Sequence, residues 1–499
     1  MKNKIVKNIL MLSIILSGAA CKKQLDLSPY GTIALSQSFQ TISDAKSWDN
    51  GFYSSLRGNV QGGYILNQDF QADQTNASLD FGNNYGSVHR WGTDFAATDG
   101  ALSGPWSAFY VALKNINLCI ENFPTIKTTS TVDSASLNQY LGDAYLARAY
   151  YYSELVIRFA KPYESSSAAK DLGVPLVLTY DVNEQPARAT VQETYDQILS
   201  DIAQAKTLLA GLAGSQSTTT FNIDVATALE ARVRLYMQDW AGAMTAANAL
   251  ISGGKYPLAT TQAALNSMWT NDISTEVIFQ SHLSEPNELG NANGTYYLNY
   301  NSANGRYDPY FIPTQAFLNL YSSGDYRIGA YFSSEPCTIS ATNYTLTLVN
   351  KYPGNPNLWT GSVTNYQNAP KIFRIAEQYL IYAEAAAETG SNDAKAQAVL
   401  NELRTARNAP ALSGLTGTSL LQAVRDERTR ELAFEGFRLW DLKRWHQGFT
   451  RGTPQNLNAI MQGESYNLLT IDADDYQFVW GIPTNDIQTN PNLVQNTGW

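Results

Sequence analysis

The feature that most constrains the fold is a helical hairpin pattern that occurs twice, far apart in the chain. Residues 235–251 read L-Y-M-Q-D-W-A-G-A-M-T-A-A-N-A-L-I, and residues 386–404 read A-A-E-T-G-S-N-D-A-K-A-Q-A-V-L-N-E-L-R. Both segments predict the end of one helix, a polar turn and the start of an alanine-rich helix. Alanine at facing positions allows two helices to pack closely. The pattern is typical of tetratricopeptide-type repeats, in which each helix pair buries its apolar face against the next pair.

Apolar residues at helical spacing predict further helices at 106–123, 137–159, 190–212, 224–237 and 240–251. Together these patterns predict a mostly α fold: an α-superhelical scaffold of tetratricopeptide-like helix pairs, with long loop excursions and a few short strands. One strand is predicted at T-L-T-L-V, residues 345–349. We predict one domain over residues 21–499. Its predicted parts are helical repeats at about 30–260, loop-rich insertions at about 261–370, and C-terminal helices and a tail at about 371–499.

The first twenty residues have the pattern of an export signal. Three lysines within the first seven residues precede a short apolar stretch at 9–16, and S-G-A-A precedes Cys21. Either Cys21 is lipidated and becomes the mature N-terminus, or cleavage after Ala20 leaves a free thiol. We favour lipidation, because an exposed free thiol is a liability in an oxidising compartment. No later apolar run is long enough to span a bilayer, which predicts a membrane anchor without a membrane span.

Charge and residue usage exclude several classes of function. The formal net charge is -10, which disfavours a nucleic-acid partner, since phosphate binding needs a basic surface. The three cysteines and three histidines show neither a C-x-x-C pair nor zinc-site spacing. The segment I-D-A-D-D-Y at 471–476 could offer carboxylates to calcium, but it lacks the EF-hand spacing, and we favour a solvated turn. We therefore predict no metal and no cofactor.

Residues 425–445 read R-D-E-R-T-R-E-L-A-F-E-G-F-R-L-W-D-L-K-R-W, in a chain of which 16% is charged. On a helix, Glu427, Glu431 and Glu435 share one face. Two interpretations compete: paired carboxylates for glycoside hydrolysis, or a semi-buried ionic lattice that joins helices. We favour the lattice, because neighbouring bases hold carboxyl pKa values low, whereas a general acid needs a raised one. Gly436 predicts a helix break or a close approach. The ion pairs predicted at i, i+3 are Arg428–Glu431, Glu435–Arg438 and Asp441–Arg444.

Three long loops combine aromatic rings with amide, carboxylate and guanidinium groups. A sugar is bound by a flat ring that stacks on its C–H face and by polar side chains that hydrogen-bond its hydroxyls. The alternative is that these rings only pack the loops onto the scaffold. The candidates in segment 71–94 are Asp73, Asn83, Asn84, Tyr85, Arg90 and Trp91. Those in segment 293–310 are Tyr296, Tyr297, Asn299, Tyr300, Asn304, Arg306 and Tyr307, and the loop at 352–371 adds Trp359 and Tyr366.

Several stretches together resemble the SusD/RagB family of outer-membrane nutrient-binding lipoproteins of Bacteroidota. The segment at 427–444 is similar to that family's E-R-x-x-E-L-x-x-E-G-x-R-x-x-D-L-x-R pattern, and I-P-T-N-D-I-Q-T-N-P-N-L-V-Q-N at 482–496 is similar to its C-terminal ending. Segments 106–117, 145–156, 190–202 and 374–385 also fit, so the resemblance covers nearly the whole mature chain.

The resemblance implies a lipid-anchored protein that faces outward from the outer membrane. It implies a non-catalytic lid for a SusC-like TonB-dependent transporter, with an oligosaccharide as ligand. It also implies ligand contacts in a loop ahead of the first helix pair and in mid-chain insertions, which favours 71–94 and 293–310. Two alternatives stay open: a peptide-binding lid of the same family, and a secreted glycosidase on a helical scaffold.

Overall fold

The computed structural model describes residues 35–181, 183–390 and 392–499, so the predicted export signal and Cys21 lie outside the described residues. No helix within these ranges is long and apolar enough to cross a membrane. The N-terminal helices are α1 (Ile42–Asn59), α2 (Gly63–Gln71), α3 (Gly86–Arg90), α4 (Gly100–Asn122), α5 (Thr131–Phe159), α6 (Val191–Leu208), α7 (Ile223–Tyr236) and α8 (Trp240–Ser252). The later helices are α9 (Gln262–Thr270), α10 (Gly294–Tyr297), α11 (Gln315–Leu318), α12 (Tyr326–Tyr331), α13 (Ile375–Thr389), α14 (Asp393–Ala406), α15 (Gly417–Glu431), α16 (Arg438–Arg444) and α17 (Thr484–Thr489).

The strands are short and form small separate sheets. They are β1 (Thr75–Ala77), β2 (Leu172–Pro175), β3 (Arg188–Thr190), β4 (Val277–Gln280), β5 (Tyr300–Asn301), β6 (Arg306–Tyr307), β7 (Phe311–Pro313), β8 (Phe332–Ile339), β9 (Thr342–Val349), β10 (Lys371–Arg374), β11 (Phe449–Thr450) and β12 (Thr470–Ile471). The largest sheet has the order β5-β6-β8-β9, and the strand predicted at 345–349 lies within β9. β1 pairs antiparallel with β7, and β10 pairs antiparallel with β4.

The long helices stack one after another. Each helix from α4 to α7 packs against its successor, and α8 packs next against α13, which contacts α14 and α15. Residues 253–374, between α8 and α13, are therefore inserted between two consecutive helical layers, and we call this insertion the excursion. The mostly helical scaffold of paired helices is confirmed, and so is the role of alanine, because Ala243, Ala246 and Ala247 form one buried cluster with Ile381 and Ala385.

Side-chain caps explain where these helices begin. Thr41 and Thr190 each form a capping box at the start of α1 and α6, and Asn222 accepts hydrogen bonds from two backbone N–H groups at the start of α7. Gly390 ends α13 in the left-handed region at φ 59°. The helix predicted from residue 106 begins earlier, after the Asp99 cap.

A second apolar core lies beneath the excursion. Phe70 from α2 stacks on Phe311 of β7 with ring centroids 3.7 Å apart. Phe434, from the charged segment, packs edge-on against Tyr297 and Phe317. This core is therefore built from three distant parts of the chain, which fixes the excursion against the scaffold.

Candidate functional site

The charged segment at 425–445 is two helices joined by a tight turn. α15 ends at Glu431 and α16 begins at Arg438, so the prediction that Glu435 shares a helix face with Glu427 and Glu431 is wrong. Gly436 has a φ of 82°, and its N–H donates to Asp69 Oδ1 at 3.0 Å. A Cβ at this position would lie 2.9 Å from Gln68 Nε2, so the break and the close approach predicted for Gly436 are confirmed.

Glu431 is the centre of a buried ionic lattice. Its carboxylate lies 2.8 Å from Arg407, 3.0 Å from Arg374 and 3.2 Å from Arg327. The side chain of Glu431 is 0% exposed, and those of the three arginines are at most 2% exposed. Such a cluster is stable only when every charge has a partner.

Further pairs extend this lattice into the excursion. Glu276 lies 2.7 Å from Arg407, and Lys351 lies 2.7 Å from Glu435. Arg327 of α12 lies 2.7 Å from Glu427. The lattice therefore joins the excursion to the C-terminal helices, which is a wider role than the link between late helices that the sequence predicts.

The remaining charges of the segment form a second group. Arg444 pairs with Asp441 at 2.9 Å, as the spacing predicts, and with Glu384 at 2.7 Å. Arg428 pairs with Asp441 at 2.8 Å, so its predicted pairing with Glu431 is wrong. Arg438 pairs with Asp73 at 2.6 Å and not with Glu435. Asp73 is thus engaged in an ion pair, and its role as a ligand contact stays a prediction.

Arginine partners keep the lattice carboxylates ionised. Burial by itself would raise the pKa of Glu427, but Arg327, Arg430 and Arg404 lower it to about 2. The pKa of Glu431 is held well below its usual range by Arg407 despite burial. A general acid for glycoside hydrolysis needs a raised pKa. These carboxylates therefore suit a structural lattice.

The candidate loops 71–94 and 293–310 meet along one edge of the second core. The Tyr85 and Tyr296 rings lie 5.0 Å apart, and Tyr296 lies 5.8 Å from Tyr310. Tyr300 and Tyr307 lie 5.1 Å apart on neighbouring strands. All of these rings are partly exposed. We call the tyrosine face the partly exposed rings of the two loops that pack on this core, together with two tyrosines that accept hydrogen bonds from Arg306 and Arg90 of these loops: Tyr85, Tyr296, Tyr300, Tyr307, Tyr310, Tyr344 and Tyr466.

Polar side chains of the first loop, beside the tyrosine face, form hydrogen bonds and an ion pair with residues close to them in sequence. Arg90 donates to Asn83 Oδ1 at 2.6 Å and pairs with Asp94. Asn84 donates to the carbonyl of Phe81 at 2.6 Å. These bonds orient the first loop, and they leave the exposed side of Asn83 and the partly exposed Tyr85 facing a groove of about 500 Å³.

Hydrogen bonds also hold the second loop, residues 293–310, in part to strand β8. Arg306 donates to Thr338 Oγ1 and to the carbonyl of Cys337, both at 2.8 Å. Asn299 donates to the carbonyl of Asp308 at 2.9 Å, and Asn304 is exposed.

Three predicted rings lie in the interior. Trp91 is 8% exposed, and its indole N–H donates to the carbonyl of Gln71 at 2.6 Å. Tyr297 is 0% exposed, and Tyr366 is 8% exposed with its hydroxyl accepting from the backbone N–H of Tyr300. For these rings the packing interpretation replaces ligand contact. Trp359 is partly exposed, but it makes no ring contact with the tyrosine face among the described residues.

The structure adds residues that the candidate set lacks. Tyr310 lies in segment 293–310, where the combination of aromatic rings and polar groups that identified its neighbours applies equally to it. Tyr344 and Tyr466 come from distant segments that no local pattern identifies. Asp308 lies against Asp80; burial and the Asp80 charge raise the pKa of Asp308 to about 6.

Among the described residues, the side chains that could ligate a metal ion are dispersed, and the cysteines are buried. Across the residues that the structure describes, His, Cys, Asp and Glu do not gather in groups of three suited to hold a metal ion. Cys119 and Cys337 are buried free thiols, and burial raises the pKa of Cys337 to about 12, which makes it a poor nucleophile.

Comparison with known proteins gives one consistent result. The model of the SusD family matches residues 236–499, and a second model, described as starch-binding associating with outer membrane, matches residues 25–235. SusD-like protein P38 of Formosa agariphila is 24% identical, with 96% of this chain and 95% of that protein covered. A SusD superfamily protein of Bacteroides thetaiotaomicron is 26% identical, with a TM-score of 0.78 and coverage of 91% and 99%.

A SusD-like carbohydrate binding protein of Bacteroides vulgatus, 21% identical, has the same fold, with a TM-score of 0.75 and coverage of 91% and 98%. The matched models run almost end to end along the chain, and the first of them includes the whole ionic lattice segment at 425–445. The chain belongs to the SusD family.

Proposed function

We propose that this chain is a glycan-binding lipoprotein of the cell surface that delivers oligosaccharides to a SusC-like TonB-dependent transporter and acts as its lid. Its anchor to the outer membrane would be a lipid on Cys21, with the protein facing the cell exterior. The family description, starch-binding associating with outer membrane, supports this role. The sequence pattern around Cys21 supports the anchor.

The observation that carries the proposal is the tyrosine face. Partly exposed rings such as Tyr296, Tyr300 and Tyr307 offer flat apolar surfaces beside hydrogen-bonding groups such as Asn83 and Arg306. A sugar would stack its C–H face on a ring and bond its hydroxyls to these polar groups. The lid would then close over the transporter by a hinge motion. The transporter would supply the energy, since the chain has no nucleotide-binding loop of the G-x-x-x-x-G-K type.

Calorimetry with a panel of oligosaccharides and peptides tests this function. We expect an oligosaccharide to bind, and Tyr300→Ala to weaken that binding at least about tenfold, or about 1.4 kcal/mol. Tyr140→Ala is the matched control, because Tyr140 is a partly exposed tyrosine on α5 that does not belong to the tyrosine face. Equal losses in both variants would contradict the assignment of the face.

The same panel separates the alternatives. Binding of peptides alone would replace the glycan lid with a peptide lid. Release of reducing sugar that stops when two carboxylates are neutralised would favour a glycosidase. The anchor has its own test: Cys21→Ala should leave the membrane fraction in cells that lack the transporter, and a variant that remains there would contradict lipidation.

A further inference from the structure

A second cavity lies in a part of the chain that the proposed glycan site does not use. It has a volume of about 610 Å³ and lies between residues 161–172 after α5, residues 443–446 at the end of α16, and the C-terminal segments 474–479 and 495–497. This volume is in the range of small-molecule sites, about 300–1,000 Å³. Phe478 in its wall packs 4.9 Å from the buried Trp91.

Lys443 in the wall of this cavity is a buried basic group without a carboxylate partner. Its side chain is 6% exposed, and Nζ donates to the carbonyls of Ile157 at 2.8 Å and Ala160 at 2.6 Å. A protonated Nζ has three donors; the third meets no acceptor oxygen or nitrogen among the described residues, and the ring of Trp440 lies 5.5 Å from Nζ. Lys443 also makes no ion pair with a described carboxylate, in contrast to the buried arginines of the lattice.

The acids around the cavity already have partners. His446 contacts Asp474 through Nδ1 at 2.5 Å and Glu164 through Nε2 at 3.0 Å. Only the protonated imidazolium can donate to both carboxylates, so His446 neutralises part of their charge.

The other acids of the wall are occupied as well. Asp171 pairs with Lys161 at 2.9 Å, and Asp475 caps the turn at Gln477. Lys170 is exposed at the rim. Among the charged or basic residues of the wall, the buried one without an ion-pair partner is therefore Lys443.

We propose that this cavity binds a small organic carboxylate, whose charge pairs with Lys443 and whose carbon skeleton lies against Tyr476 and Leu172. These two side chains are 43% and 37% exposed and give the mouth of the cavity an apolar surface. A uronic acid and the C-terminus of a short peptide share this chemistry. Burial, followed by the nearby Arg158, lowers the pKa of Lys443 well below its usual range, and a bound carboxylate stabilises the charged form.

The test compares each carboxylate with a neutral relative of the same size, using the full mature chain. D-glucuronate is paired with D-glucose, and N-acetyl-Ala-Ala is paired with its C-terminal amide. In calorimetry at least one carboxylate should bind at least about tenfold more tightly than its neutral relative. The pair that shows this preference identifies the source of the ligand. Lys443→Met should remove the preference.

A surface variant keeps the proposal testable if Lys443→Met does not fold. Leu172→Glu adds a negative charge at the mouth and should weaken carboxylate binding about tenfold. Val132→Glu makes the same change on a 71% exposed valine of α5 outside the cavity and should bind like the wild type.

Three results would overturn the proposal. They are equal binding of carboxylate and neutral ligands by the wild type, a folded Lys443→Met that keeps the preference, and a Leu172→Glu that binds like Val132→Glu. Tyr300→Ala should leave the preference for the carboxylate over its neutral relative unchanged, so failure of the glycan proposal and failure of this one are distinguishable.

Discussion

The ionic lattice and the tyrosine face use the same types of residue in opposite ways. In the lattice, Glu431 and its arginines are at most 2% exposed, and the pairs join segments far apart in the chain. At the tyrosine face, the side chain of Asp94 is 48% exposed and pairs with Arg90, four residues away. Burial and the sequence distance of the partners, rather than residue type, separate a structural charge from one that remains accessible.

This difference has a physical reason. A buried charge that loses its partner carries the full cost of its desolvation, so the lattice tolerates little change. An exposed charge that loses its partner is solvated by water and costs little. The scaffold is therefore held by the lattice, while the face can change its ligand contacts without unfolding the chain.

The largest expected effect is that of Glu431→Ala. The change leaves Arg407, Arg374 and Arg327 buried with fewer partners, and we expect a loss of about 3–5 kcal/mol in the free energy of unfolding. Urea denaturation measures it. Glu388→Ala is the matched control, since Glu388 has a single ion-pair partner among the described residues, Arg425, and is partly exposed. Equal losses in the two variants would remove the distinction between buried and partly exposed ion pairs.

The pH dependence of stability offers an intermediate effect. At the tyrosine face, burial and Asp80 raise the pKa of Asp308 from 3.8 to about 6, so the folded chain holds a proton that the unfolded chain releases. Its contribution to stability therefore falls as pH rises from about 4 to about 6, and Asp308→Asn should flatten that part of the profile.

The stability contributed by the lattice changes with pH in the opposite direction. Glu427, with a pKa lowered from 4.5 to about 2, contributes stability above pH 4.5 that is lost as pH falls towards 2.

The Asp308 prediction is checked by denaturation midpoints at pH 4 to 7, measured for the wild type and Asp308→Asn. The difference between the two proteins should change with pH as the stability contributed by Asp308 falls. Parallel profiles would show that Asp308 does not titrate in this window.

The smallest effect is expected from Asp94→Ala. The pair with Arg90 is local and solvated, so the free energy of unfolding should change by less than about 1 kcal/mol. Thermal unfolding at low and high salt measures the change. A loss comparable to that of Glu431→Ala would mean that the face is as structurally constrained as the lattice.

Local patterns predicted most of the scaffold. Helical spacing located α4 to α8, the alanine-rich segments identified α8 and α14, and T-L-T-L-V identified β9. Within the charged segment, the pair Asp441–Arg444 was predictable because both residues lie one turn apart on α16. The break at Gly436 was predictable because glycine favours such a conformation.

Long-range partners were not predictable. Arg438 meets Asp73 across 365 residues, and Lys351 meets Glu435 across 84. At the site, Tyr85 and Tyr297 look alike in sequence, yet one is partly exposed and the other fully buried. Tyr466 joins the tyrosine face from a segment that carries no signal of its own.

The sequence alone thus determined the helical repeats, the positions of the loops and the membership of the family, because periodicity, turn chemistry and linear motifs are written in neighbouring residues. Tertiary structure decided which charges pair, which rings are exposed, and that the cavity at Lys443 exists. Those properties depend on burial and on contacts between distant segments, and only the packed chain defines them.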